Sequence, residues 1–204
     1  MGMFVRAYAY ILSHGSDGLR QAAEDAVLSA NFVRVSLADL FSQPFGERVC
    51  MHEVLFDDAW LRDTGVTTLD FAKAMIDEGY HPMTIYFPLV VHGAMLIEPT
   101  ESESRAELDR FCDAMIAIRR EIAEIENGRW KVESSPLRHA PHTVHDIADD
   151  AWQRPYSRAE GCFPAGTSRV DKYWSPVGRV DNVYGDRHLV CSCPPVTEYA
   201  EAAE

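Results

Sequence analysis

The chain has 204 residues, enough for one domain or for one domain with a long appendage. Apolar residues make up 47% and aromatics 10%, sufficient for a real core. A formal net charge of -13 excludes nucleic acid and anionic membrane as natural partners, because phosphates would be repelled. No apolar run approaches the ~20 residues needed to span a bilayer. The segment Met3 to Leu12 is interrupted by Arg6 and runs into His14 and Gly15 without a small-residue cleavage pattern, so it is not expected to be a signal peptide. Five cysteines, an odd number, suit a reducing compartment, the cytoplasm, and not a disulfide framework.

The first predicted element is a helix. From Asp17 to Leu40, apolar residues fall at Leu19, Ala23, Ala26, Val27, Ala30, Val33, Leu37 and Leu40, a three-to-four spacing that makes one stripe. Ser16 or Asp17 can cap its start. Met3 to Leu12 forms either a further helix or the continuation of one that starts earlier. Val49 to Phe56 then reads as a strand containing His52 and Glu53 on opposite faces. Thr67 and Asp70 are spaced as a capping box, opening a helix through Phe71, Met75 and Ile76 that Gly79 ends. Ile85 to Phe87 and Met95 to Ile97 read as short strands. Thr100 and Glu103 are spaced as a second capping box, opening a helix through Leu108, Met115, Ile118 and Ile122 that ends at Gly128. Amphipathic helices alternating with short strands predict an α/β (α+β) unit, helices on a small sheet.

Beyond Gly128 the periodicity disappears. Residues 129 to 204 hold most of the prolines together with Trp152, Tyr156, Phe163, Tyr173, Trp174 and Tyr184. That aromatic density is wrong for disorder, so a long, ordered, loop-rich extension laid over another surface is expected. The last residues, Glu198 to Glu204, are expected to fray.

Each motif carries a functional and a structural reading. His52 could face a pocket as donor or acceptor, although the residue alone favours a hydrogen-bonded core or rim position. Pro82 biases His81 toward an extended backbone, which aims the side chain, with Thr84 adding a hydroxyl. A turn explains the same residues. Glu98, Glu101 and Glu103 could work as paired carboxylates, but capping and the helix dipole account for them. His139, His142 and His145 with Asp146 offer zinc-like donors, while Pro141 prevents a helix from aligning them. Cys191 and Cys193 are too close in sequence to pair readily; one of them near Arg187 could be redox-sensitive, with a buried inert thiol the simpler reading. There is no glycine-rich phosphate loop and no Walker lysine.

Several blocks follow one another in a telling order: Phe4 to Leu12, Gly18-Leu19-Arg20, Ala26 to Phe32, Cys50-Met51-His52-Glu53, Gly65 to Asp70, Gly79 to Pro88, Glu98 to Glu103, Leu137 to Thr143, Pro155 to Arg158, Phe163 to Gly166, Lys172 to Pro176 and Val183 to Arg187. Together they resemble the C-terminal part of the glycine decarboxylase P-protein family, the pyridoxal-phosphate enzymes of the glycine cleavage system. The resemblance runs nearly end to end. It implies the small C-terminal domain of a fold-type I pyridoxal-phosphate enzyme: residues 1–45 the end of the large domain and connecting helices, 46–128 the small domain, 129–204 the extension. It also implies decarboxylation of glycine on pyridoxal phosphate, with transfer of the aminomethyl group to the lipoyl arm of H-protein. A dimer is implied as well, with a mitochondrial-matrix location if the source is eukaryotic. His81 and Thr84 match a segment expected to face the active-site cleft; His52 is a third candidate.

The three lysines, Lys73, Lys131 and Lys172, do not match the family's cofactor lysine. The Schiff-base lysine is therefore expected in a missing upstream part or companion subunit, and the isolated chain is expected to be inactive. Met1 falls inside a helix of the family pattern, so a truncated frame, a fragment or a split gene is expected. The loop Gln43 to Arg48 departs from the acidic, Gly-Pro-like turn of the family. Two rival readings remain, a non-catalytic module for assembly or H-protein docking, and a metalloprotein built on the histidine cluster.

Overall fold

The computed structural model describes residues 1–164, 170–190 and 195. It opens with α1 (Gly2–Ser36), interrupted at Gly15, whose φ of 62° and ψ of -173° lie in a region open essentially only to glycine. The two helical segments expected from the pattern are thus joined through an elbow. The second half ends at Ser36, four residues before the expected Leu40, and the chain turns through Leu37 and Phe41 to enter the core.

The sheet has three strands, β1 (Val54–Phe56), β2 (Thr84–Ile85) and β3 (Met95–Ile97), in the order β1-β3-β2 with both pairings antiparallel. This is the α+β form of the expected class. Val54 lies opposite Ile97 and Phe56 opposite Met95, and all four side chains are buried on one face. The alternation that sends Val54 and Phe56 inward leaves Leu55 partly exposed. The predicted first strand was too long. Val49 to Glu53 is irregular because Asn31 takes the main chain there: its amide donates to the Cys50 carbonyl at 2.8 Å and its Oδ1 accepts from the Cys50 N–H at 3.1 Å. Those groups are then unavailable for a ladder. The second strand begins at Thr84 and stops at Ile85, since Tyr86 has a φ of 59°, outside the strand region.

Helix α2 (Thr68–Asp77) begins in the predicted box, the Asp70 N–H donating to Thr67 Oγ1 at 3.2 Å and the Thr67 N–H to Asp70 Oδ2 at 2.9 Å. It ends in a Schellman motif, with the N–H of Tyr80 on the Met75 carbonyl and that of Gly79 on the Ile76 carbonyl, both at 3.0 Å. Helix α3 (Arg105–Glu126) does not start where the second predicted box puts it. Ser104 is the cap, accepting from the Glu107 N–H at 3.2 Å, and Thr100 sits before it with a φ of 59°. Two consecutive hydroxyl-x-x-carboxylate spacings, Thr100–Glu103 and Ser104–Glu107, compete here, and the one nearer the apolar stripe wins.

The lower half of α1, α2 and α3 pack on one another and on the sheet. Phe41, Phe56, Phe71, Met75, Met95, Met115, Ile118 and Ile122 are all essentially inaccessible. Phe41, Trp60 and Phe71 meet edge-on with centroids 4.7 to 5.8 Å apart, a favourable geometry for aromatic quadrupoles. Past Gly128 the described residues form short helices, α4 (Pro136–His139), α5 (Val144–Ala148), α6 (Arg158–Cys162) and α7 (Asn182–Arg187), and a 3-10 turn at Val132–Ser134, between loops. The extension is laid over the helical side: Leu137, Ala140 and Tyr156 join the same buried cluster as Val33 and Met115.

Candidate functional site

Two features attract attention, an open cleft beyond the end of α2 and a buried polar seam beneath the extension. The cleft exists because the Schellman turn stops α2 abruptly and sends the chain through Tyr80 to Met83 into β2. It has a volume of about 480 Å³ and brings together Tyr80, His81, Thr84, Leu96, Glu98 and Thr100 with Glu103, Glu107 and Phe111 of the α3 side. Thr84 pairs with Leu96 across the ladder, so both side chains point from the same face of the sheet. His81 and Thr84 are exposed at its wall. Tyr80 packs edge-on against Phe111 at 5.4 Å, and burial together with the nearby Glu107 pushes its phenol up to about 12. It therefore stays a hydrogen-bond donor at neutral pH.

Two of the three candidates predicted from the sequence thus share one cleft, while the third does not. His52 lies exposed in the irregular stretch before β1 and does not line the cleft. Thr100 and Glu103, assigned to capping in the sequence, are released from that duty and line the cleft instead. Thr100 is also a β-branched residue in the left-handed region, held there with its Oγ1 2.9 Å from Ser102 Oγ. Such a backbone costs ~1–3 kcal/mol and persists where neighbouring structure imposes it. Only the adjacent Ser104–Glu107 spacing could have flagged it in the sequence.

Chemically the cleft offers an imidazole, three hydroxyls and three carboxylates. Among the described residues of its lining there is no lysine or arginine. It could not by itself form a Schiff base or hold a phosphate, whose charge the glutamates would repel. Lys172 is committed elsewhere: its Nζ donates to the Asp77 carbonyl and lies 3.4 Å from Asp77 Oδ1.

That second contact belongs to the seam. Asp77, at the end of α2, accepts from the His142 N–H at 2.9 Å and lies 2.7 Å from its Nδ1; the Nε2 of the same ring is 3.0 Å from the Tyr156 hydroxyl. Burial holds the Tyr156 phenol far above its ordinary range, so it keeps its proton beside the imidazole. Gly161 allows this approach, since a side chain there would meet the Tyr156 ring and His142 Nε2 within 3 Å. At the other end of α2, Asp70 closes the capping box and also takes Arg179 Nη2 at 2.5 Å. His142 is therefore a buried anchor. His139 bonds the Ser135 carbonyl at 2.9 Å, and His145 is exposed on α5. The histidines are dispersed, and among the described residues no cluster could hold a metal ion. Cys191 and Cys193 lie outside the described residues.

A small antiparallel sheet under three helices, with an extension laid over it and an open cleft at one edge, defines a small α+β domain. Comparison with known proteins gives the particular family. A family profile described as "Glycine dehydrogenase, C-terminal domain" matches residues 22–142. Proteins named glycine dehydrogenase (decarboxylating) from Nitrobacter hamburgensis and Bradyrhizobium diazoefficiens are each 64% identical over 202 residues; the one from Roseobacter denitrificans is 54% identical over 203. In each case the match covers 97% of this chain and 21% of the relative. The chain belongs to the glycine dehydrogenase family, corresponds to its C-terminal domain and spans about a fifth of the length of these curated relatives. No helix among the described residues is long and apolar enough to cross a membrane.

Proposed function

We propose that the chain supplies the C-terminal part of a glycine dehydrogenase (decarboxylating), working with an upstream polypeptide that carries pyridoxal phosphate. The observation that carries this reading is the 64% identity to such enzymes along 97% of the chain. The cleft supports a complementary role for this part. It contains hydrogen-bonding groups but no residue suited to the cofactor, so the cofactor's electron-sink chemistry belongs to the upstream polypeptide. His81 and Thr84 would line one side of the completed site, orienting glycine or the lipoyl arm of H-protein and excluding water. Residues 1–45 would act as the connection, 46–128 as the small domain and 129–204 as the extension that stiffens it. A cytoplasmic, dimeric enzyme is the simplest setting.

The test is reconstitution. The chain is combined with the upstream polypeptide, joined or as a separate subunit, with pyridoxal phosphate and lipoylated H-protein. Release of carbon dioxide from glycine is expected only with both parts present. A tight complex without turnover would favour the non-catalytic assembly role.

A further inference from the structure

The first half of α1 stands clear of the body. At 3.6 residues per turn, Met1, Phe4, Val5, Tyr8, Ile11 and Leu12 fall within about 120° of the helix circumference. Each is between 50% and 92% exposed, so one continuous apolar stripe faces solvent. Residues 1 to 14 include one arginine, Arg6, and no carboxylate, in a chain of net charge -13. The geometry of the arm is nevertheless specified. Gly15 turns it through a backbone open to glycine, the Tyr10 and His14 rings pack at 4.1 Å, and the Ser13 hydroxyl donates to the Tyr10 carbonyl at 2.8 Å. Tyr10 also reaches Glu101 of the body at 3.4 Å. An apolar stripe of this width in water marks a surface that is covered in the working protein.

We propose that this stripe is the seat of the upstream polypeptide, and that the Gly15 elbow sets the angle at which that polypeptide meets the small domain. The proposal rests on the functional reading above and names the surface through which its two parts join. The make-up of the relatives chooses this occupant over a second copy of the chain. The matched region is 21% of each relative, and the profile is that of a C-terminal domain, so in those relatives most of the polypeptide lies on the amino-terminal side, the side of the arm.

The experiment is amide hydrogen exchange on the assembled protein, chain plus upstream polypeptide, against the chain alone. Residues 2–14 are expected to exchange at least tenfold more slowly in the assembly, and the double variant Tyr8→Glu, Ile11→Glu to abolish that protection and weaken assembly at least tenfold. The control Val144→Glu, on exposed α5, should leave both unchanged. Exchange in the core from Val33 to Ile125 reports whether each variant is folded. Equal exchange of residues 2–14 in the two states overturns the proposal. So does protection in the chain alone that grows with concentration, which would make a second copy the occupant. Glycine decarboxylation by the wild-type assembly is read separately. Activity without protection defeats the docking surface, and protection without activity defeats the functional reading alone.

Discussion

Asp70 and Asp77, on α2, are 1% and 4% exposed, and each is held by groups from the extension. Glu98 and Glu103, across the turn that ends α2, line an open cleft and are exposed. The seam and the cleft are both acidic, yet they answer different physical demands. Inside the seam each carboxylate has lost its water and is tolerable only because His142, Lys172 or Arg179 replaces it. In the cleft Glu98 and Glu103 keep their water. The seam is thus a device for stability, and the cleft is a surface free to meet something else.

Breaking the seam should have the largest effect. Asp77→Ala strands His142 and Lys172 in a buried site and should cost ~3–5 kcal/mol, read as a drop in the urea midpoint. Unchanged stability would mean the extension is not anchored there. A pH effect comes next. Burial first, then the neighbouring carboxylates of Glu78, Asp77 and Glu160, raise Glu121 to about 8, with Arg129 opposing. Its folded value lies above its unfolded one, so its favourable contribution is complete below about 4.5 and is lost as pH rises through about 8. Stability should therefore fall between those values, and Glu121→Gln should flatten that fall; an identical slope in the variant would exclude Glu121 as its source.

Arg179→Met removes one charged partner of Asp70 but leaves the capping box and Arg138, and should cost ~1.5–3 kcal/mol in thermal or urea unfolding. A loss as large as that of Asp77→Ala would show that the two ends of α2 are equally critical. The smallest stability effect belongs to the cleft. His81→Ala and Thr84→Ala should change stability by no more than ~0.5 kcal/mol, because both side chains are exposed. They should nonetheless lower the kcat/KM of the reconstituted enzyme. Full activity in both would remove the cleft from the catalytic site and erase the contrast with the seam.

Much of this was legible before the fold was seen. The Thr67–Asp70 box, the stop at Gly79 and the apolar stripe of α3 are local signals that tertiary structure left intact. Family resemblance and the rigid Pro82 singled out His81 and Thr84, and both line the open cleft beyond α2. One failure has a distant cause. Val49 to Glu53 looked like a strand until Asn31, nineteen residues earlier, took the Cys50 main-chain groups. That placed His52 in a loop.

Local chemistry in the sequence therefore determined where the main helices lie, where they stop and to which family the chain belongs. Capping groups and apolar periodicity act within a turn or two, and the family blocks can be read along one line. Tertiary structure alone decided that His142 anchors a seam, that Asp70 both caps a helix and clamps Arg179, and that Thr100 faces a cleft. Those roles depend on partners up to 109 residues away, and on the cost of burying a charge unless such a partner arrives.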